Sequence, residues 1–209
     1  MKTKAFLGIL PLVGLVAFNA GAQVVDTVIT NGLFEPHSVA ADTNNNYYIT
    51  DSANNRVVRY VQDTAVLTSL AGLKGSFGTN DGIGIQARFF DPKGIVYVPA
   101  RDGLVMADSG NHLIRFVTLR GVVTTLAGIA GIPGSDDGPG TTATFRFPSG
   151  LAVDSNGDVY IADSKNNSIR KLDLSNVVTT LPGYFYEPAA VAVGDNGQII
   201  VADTRNHSI

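Results

Sequence analysis

The chain has no cysteine and no tryptophan. Without cysteine there is no disulfide framework and no thiolate metal site, so packing and backbone hydrogen bonds must hold the fold together. Charge is sparse: only 16% of residues are Asp, Glu, Lys or Arg, and the net charge is −3. No block of one sign stands out, which counts against nucleic acid as a partner, because that needs a basic face. Beyond residue 22 no window sustains a helical period. What the chain has in quantity is glycine, 23 of 209 residues, a composition suited to many short strands joined by tight turns.

The N-terminus reads "MKTKAFLGILPLVGLVAFNAGAQ". Lys2 and Lys4 form a basic start, Ala5 to Phe18 an apolar run, and Ala20-Gly21-Ala22 a small-residue end. That is the layout of a secretory signal peptide. The run is short for a spanning helix, and Gly8 and Pro11 interrupt it. The expectation is a signal peptide at 1–22, a mature domain at 23–209 without a membrane span, and a secreted or periplasmic location.

The mature region repeats itself. Four units begin near Phe34, Phe90, Phe145 and Phe185, with prolines at Pro36, Pro92, Pro148 and Pro188, spaced by 56, 56 and 40 residues. Each proline is followed 15 or 16 residues later by an aspartate: Asp51, Asp108, Asp163 and Asp203. Three residues on stand Asn54, Asn111, Asn166 and Asn206, and six on stand Val57, Ile114, Ile169 and Ile209. Within a unit, short apolar runs such as "GLAVD", "VYIAD", "SIRKL" and "VVTTL" have strand chemistry. Asn156-Gly157 and Asn196-Gly197 separate the first two runs and suggest two-residue hairpin turns. The unit is therefore expected to be a four-stranded antiparallel meander.

Two residues past each proline sit Ser38, Gly94, Gly150 and Ala190, and one further on Val39, Ile95, Leu151 and Val191. Small residues on one face of an inner strand and large ones on the other suit sheets stacked radially about an axis. Tandem four-stranded units of about 40 residues point to an all-β propeller. "DSGNHLI", with "DSANNRV", "DSKNNSI" and "DTRNHSI" as variants, resembles the NHL repeat, named for an Asn-His-Leu triplet that Asn111-His112-Leu113 spells out. The likeness is to the exported bacterial type and covers nearly all of the mature chain. It implies a propeller, commonly six-bladed. The sequence reaches Ile209 inside the third strand of the fourth unit. The expectation is a fragment of a six-bladed ring, with a closed four-bladed ring, completed by residues 24–30, as the alternative.

Known members of the family include secreted binding proteins, RNA-binding propellers and a peptide-amidating lyase, so the resemblance transfers fold and leaves activity open. In the lyase, channel histidines from several blades hold zinc. The equivalents of His37 here are Lys93, Ser149 and Ala189, so that pattern is not matched and no metal or cofactor is expected. His112 and His207 share one motif position and belong to different units. The motif residues Asp51, Asn54, Asp108, Asn111, Asp163, Asn166, Asp203 and Asn206 read as a structural turn, because short polar side chains bond nearby backbone and a catalytic group is normally needed once.

Two glycine-rich inserts, "LAGLKGSFGTNDGIGIQARFFDP" and "LAGIAGIPGSDDGPGTTATFRFP", account for the longer spacings. They match at Gly72/Gly128, Asp81/Asp137, Ala87/Ala143 and Phe89/Phe145, which suggests ordered loops folded back on the blades. Their candidate partner-binding residues are Lys74, Phe77, Asn80, Asp81, Asp136 and Asp137. Calcium on Asp136 and Asp137 is a weaker reading, since such sites want about six to eight oxygens. "DSNGD" at Asp154 reads as a hairpin rather than a calcium loop. Arg115 and Arg170 recur seven residues past the aspartate, where the first unit has Val58, and read as exposed strand polarity. The expected function is an exported, non-enzymatic binding, adhesion or scaffold module for a protein, cell-surface or glycan ligand. The alternative is a metal-dependent hydrolase or lyase working in the central channel, of the gluconolactonase-like or peptide-amidating type.

Overall fold

The computed structural model describes Leu15–Val16, Val25–Asp26 and residues 32–209. The two dipeptides form a short antiparallel ladder in a unit of its own, and Glu35–Ile209 makes the second unit. Apart from those four residues, the expected signal peptide and the expected outer strand at 24–30 lie outside the described residues. No helix among the described residues is long and apolar enough to cross a membrane.

The second unit is a series of antiparallel sheets, here called blades. The first blade runs Pro36–Ala41, Asn46–Asp51, Arg56–Val61 and Val66–Ala71, each strand paired with the next. The second runs Pro92–Val98, Gly103–Asp108, Leu113–Thr118 and Val122–Ala127. The third runs Pro148–Val153, Val159–Asp163, Ser168–Leu172 and Val177–Thr180. The fourth contributes Pro188–Val193 and Ile199–Asp203. The expected meander is thus observed in three complete copies.

The core lies between blades rather than inside any one of them. Tyr48 and Val57 of the first blade pack with Ile95, Leu104, Met106 and Val117 of the second. Val105 and Ile114 of the second pack with Val159, Ile161 and Leu172 of the third. Ala162 and Ile169 of the third pack with Val191 and Val201 of the fourth. A blade is two-sided, so each strand buries large residues toward both neighbours. This is why the apolar runs are nearly continuous instead of strictly alternating.

The first strands lie innermost and close together. A Cβ on Gly94 would collide with the Ser149 carbonyl oxygen, and one on Gly150 would sit 2.6 Å from Ala190 Cα. The Thr50 hydroxyl donates to the Lys93 carbonyl at 2.6 Å, and the Ser149 hydroxyl to the Ala189 carbonyl at 2.8 Å. Small side chains two residues past the prolines are therefore a requirement of strand approach.

Two features differ from expectation. The Asn156-Gly157 turn is not a two-residue loop. The Asp154 N–H donates to the Asp158 carbonyl and the Gly157 N–H to the Asp154 carbonyl. Gly157 has φ +89°, while Asn156 is not in the positive-φ region. This is a three-residue loop with a glycine bulge, and Asp154 Oδ1 accepts the N–H groups of Asn156 and Asp158. Second, each insert adds a fifth strand. Gly82–Ile83 pairs with Val123 and Val122 at the outer edge of the second blade, and Gly138–Pro139 with Val178 and Val177 at that of the third.

Candidate functional site

In an antiparallel meander, connections alternate between the two ends of the blade. The turn after the second strand and the lead-in to the next blade therefore share one end. Contacts agree: each proline that opens a first strand pairs with the motif aspartate that closes the second, as in Pro36 with Asp51 and Pro92 with Asp108. The motif turns and the two ends of each insert thus share one loop face, while the middle of each insert runs along the blade's outer edge to Gly121 or Asn176 at the other end.

Each motif turn is a single 3-10 turn, at Ser52–Asn54, Ser109–Asn111, Ser164–Asn166 and Thr204–Asn206. A left-handed residue ends each turn: Asn55, His112, Asn167 and His207. Asparagine tolerates this conformation well, which explains its recurrence there. The motif aspartate ties the turn together. Asp108 Oδ2 accepts from Asn111 at 2.8 Å and Oδ1 from the Phe90 N–H at 2.7 Å. Asp163 does the same with Asn166 and the Arg146 N–H, and Asp203 with Asn206 and the Tyr186 N–H. In the first blade, Asp51 Oδ2 accepts from Asn54 at 2.9 Å and from Arg56 Nε at 2.7 Å.

Arg115 and Arg170 are the residues the sequence reading misplaced. Both side chains are wholly buried. Arg115 Nη1 lies 2.7 Å from Asp108 Oδ2, and its Nη2 lies 2.6 Å from Asp81 Oδ1. It also donates to the carbonyls of Arg88 and Asn80, and its guanidinium sits 5.3 Å above the Phe89 ring. Arg170 repeats the arrangement with Asp163, Asp137, the Thr144 and Asp136 carbonyls, and Phe145. A buried guanidinium needs partners for its charge and its donors, and the insert supplies both. A signal existed: arginine stands at this position in the two units that follow an insert, and Val58 in the first unit, which follows none.

Burial pushes the Asp108 carboxyl up to about 6, against the pull of Arg115, Asn111 and the Phe90 N–H. Burial likewise raises Asp163. Burial also works to raise Asp137, but the Thr180 N–H and hydroxyl and the Arg170 guanidinium outweigh it, so its carboxyl lies below the ordinary value. One buried cation thus faces two carboxylates in different surroundings.

The insert residues divide accordingly. Asp81 accepts from Arg115 and from the Thr125 N–H and hydroxyl. Asp137 accepts from Arg170 and from the Thr180 N–H and hydroxyl. Asn80 offers its carbonyl to Arg115 and the Arg88 N–H. Asp136 Oδ2 accepts from the Thr144 hydroxyl at 3.1 Å. The side chains of Asp81, Asp136 and Asp137 and the backbone carbonyl of Asn80 thus anchor the inserts. Lys74 is exposed, and Phe77 is 71% exposed with its ring 5.5 Å from that of Phe90.

His37 is exposed on the first inner strand. Among the described residues no group of three or more His, Asp or Glu side chains is placed to hold a metal ion. The loop face instead collects aromatic surface. Phe90, Phe147 and Tyr186, one at each lead-in between blades, are all exposed, as are Phe77 of the first insert and Tyr184 of the short third connection. Sequence reasoning selected Phe77 and missed this collar, although the Phe-Asp-Pro, Phe-Pro and Tyr-Glu-Pro lead-ins were legible.

Residues 35–60, 145–172 and 185–209 match the NHL repeat. Over 110 residues the chain is 37% identical to NHL repeat-containing protein 2 of Homo sapiens, covering 51% of this chain and 15% of that protein. Among solved structures it is similar to an auxiliary nutrient binding protein from Bacteroides ovatus, with TM-score 0.68 and 21% identity over 90% of this chain and 50% of that one. A nidogen/laminin complex gives TM-score 0.66 and 20% identity over 88% and 62%. A streptogramin B lyase gives 0.60 and 14% over 82% and 49%. The TM-scores show a shared fold and nothing beyond it. The chain spans about half the length of most of these structures and a much smaller part of its curated relative.

Proposed function

On the premise that the chain carries NHL repeats folded as propeller blades, we propose that it is an exported, non-enzymatic binding module that recognises a protein ligand through its loop face. The observation that carries this reading is the aromatic collar of Phe77, Phe90, Phe147, Tyr184 and Tyr186. Exposed aromatic groups gathered on one face of a rigid scaffold are the usual chemistry of a contact surface. The inserts stiffen that face, since Asp81 and Asp137 are tied to buried arginines, and an ordered loop loses less entropy on binding. Structures of the same fold include a nutrient binding protein and a nidogen/laminin complex, in keeping with this reading. The N-terminal signal layout supports secretion or periplasmic location.

The test is a binding screen of the purified protein against immobilised extracellular proteins and glycans. A saturable ligand should be lost in Phe77→Ser/Tyr186→Ser and kept in Val66→Ser/Leu174→Ser, which removes exposed apolar groups from the strand turns at the opposite end. A glycan that binds equally to both variants would overturn the assignment. So would turnover of a streptogramin or lactone with added divalent metal, which would return the molecule to the enzyme reading.

A further inference from the structure

Adjacent blades are joined by a repeated clamp. The left-handed residue that closes each of the first three motif turns accepts a hydrogen bond from a backbone N–H at the lead-in to the next blade. Asn55 Oδ1 accepts from Asp91 at 2.9 Å, and Asn167 Oδ1 from Glu187 at 2.8 Å. At the middle junction, His112 Nδ1 accepts from the Phe147 N–H at 3.2 Å. The receiving residues share a further property: Asp91, Phe147 and Glu187 have φ of +48°, +51° and +48°. Positive φ is costly for a side chain as large as Phe, so this lead-in is held by its surroundings.

The three clamps differ in one chemical respect. An amide oxygen accepts a hydrogen bond at any pH. An imidazole nitrogen accepts only while it carries no proton. We propose that the junction between the second and third blades is an acid-sensitive joint, opened when His112 takes up a proton, while the two asparagine junctions stay closed. Protonated Nδ1 would face the Phe147 N–H donor to donor. The edge-on contact of the two rings, at 4.6 Å and 84°, ties the Phe147 side chain to the same event. Phe147 belongs to the aromatic collar, so acid would loosen part of the loop face whatever that face binds.

The surroundings set the direction. His112 is buried, and burial is the main influence holding its pKa below the ordinary histidine value; Arg146, on the lead-in beside Phe147, adds to it, and the Ser109 carbonyl opposes. The insert segment hydrogen-bonded to the same turn, Gly128 to Ile132, has no titratable side chain. Asp108, on the same turn, is engaged by Asn111, Arg115 and the Phe90 N–H. The clamp is therefore closed near neutral pH. Because the folded pKa lies below the unfolded one, stability from neutral His112 is present above the unfolded pKa of about 6.5. It is lost as pH falls through the folded value.

Amide exchange on the whole chain tests this, with Glu187 as internal reference for a clamp of the same shape. Between about pH 7 and pH 4.5, protection of the Phe147 amide, corrected for intrinsic exchange, should fall by about tenfold or more, with that of Glu187 unchanged. In His112→Asn, which installs the residue of the neighbouring units, Phe147 should stay protected over the same range. Equal behaviour of Phe147 and Glu187 in the native chain overturns the proposal without need of the variant. So does a loss at Phe147 that persists in His112→Asn.

Discussion

The first and second blades carry the same motif and satisfy it differently. In the first, Asp51 meets Arg56 from five residues ahead, a side chain that keeps 11% of its surface in water. In the second, Asp108 meets Arg115 from seven residues ahead, with no surface left exposed. Strand pleating accounts for part of this, because a shift of two keeps a side chain on the same face. The insert accounts for the rest. It lays Gly82–Ile83 along the outer edge and brings Asp81 to the second nitrogen of the guanidinium. Deep burial of Arg115 is possible because a segment that precedes the blade in sequence closes over it. The motif is common property; the anchoring of a long loop is an addition built on it.

That comparison can be broken most directly at the cation. Arg115→Met leaves two carboxylates without their counter-charge, one of them fully buried, and should cost about 3–5 kcal/mol in denaturant unfolding. A loss under about 1 kcal/mol would mean that the buried pair does not hold the blade. Arg56→Met should cost less, about 1–2 kcal/mol, since the Arg56 side chain keeps part of its surface in water at the margin of the blade. Equal losses for the two variants would erase the distinction between the blades. Asp81→Asn should cost about 1 kcal/mol, because the carboxylate is 47% exposed and screened by water. Its clearer mark should be faster exchange of the Thr125 amide, which donates to Asp81. The least intrusive test is titration. By carbonyl NMR, Asp108 should protonate near pH 6, and Arg115→Met should move it higher still. Since its folded pKa exceeds the unfolded value, the stability gained from its protonation is full below about pH 3.8. It disappears as pH rises through about 6.

Much of this molecule could be read from residues alone, since its regularities are local and recurrent. Proline, aspartate and asparagine recur at fixed spacing, so the units and their turns are visible without coordinates. The small residues at Gly94 and Gly150 reveal where inner strands meet, because a missing side chain records a close approach. What stayed hidden depends on segments far apart in sequence. Arg115 and Asp81 are separated by 34 residues. An isolated arginine on a strand reads as solvated because nothing near it in sequence covers it. The exposed aromatics were hidden for the same reason: nothing local distinguishes Phe90 and Phe147, which are exposed, from Phe89 and Phe145, which are buried between blades.

The sequence by itself determined the repeat, the strand order within each blade and the stacking of blades about an axis. These follow from side-chain size, turn chemistry and period, which act over a few residues. The tertiary structure alone decided which charges are buried, that the inserts form a fifth strand, and that a histidine replaces asparagine as the clamp between two blades. Burial and hydrogen-bond pairing across blades are properties of surfaces that meet only once the chain has folded, and no local pattern records which surface will lie opposite.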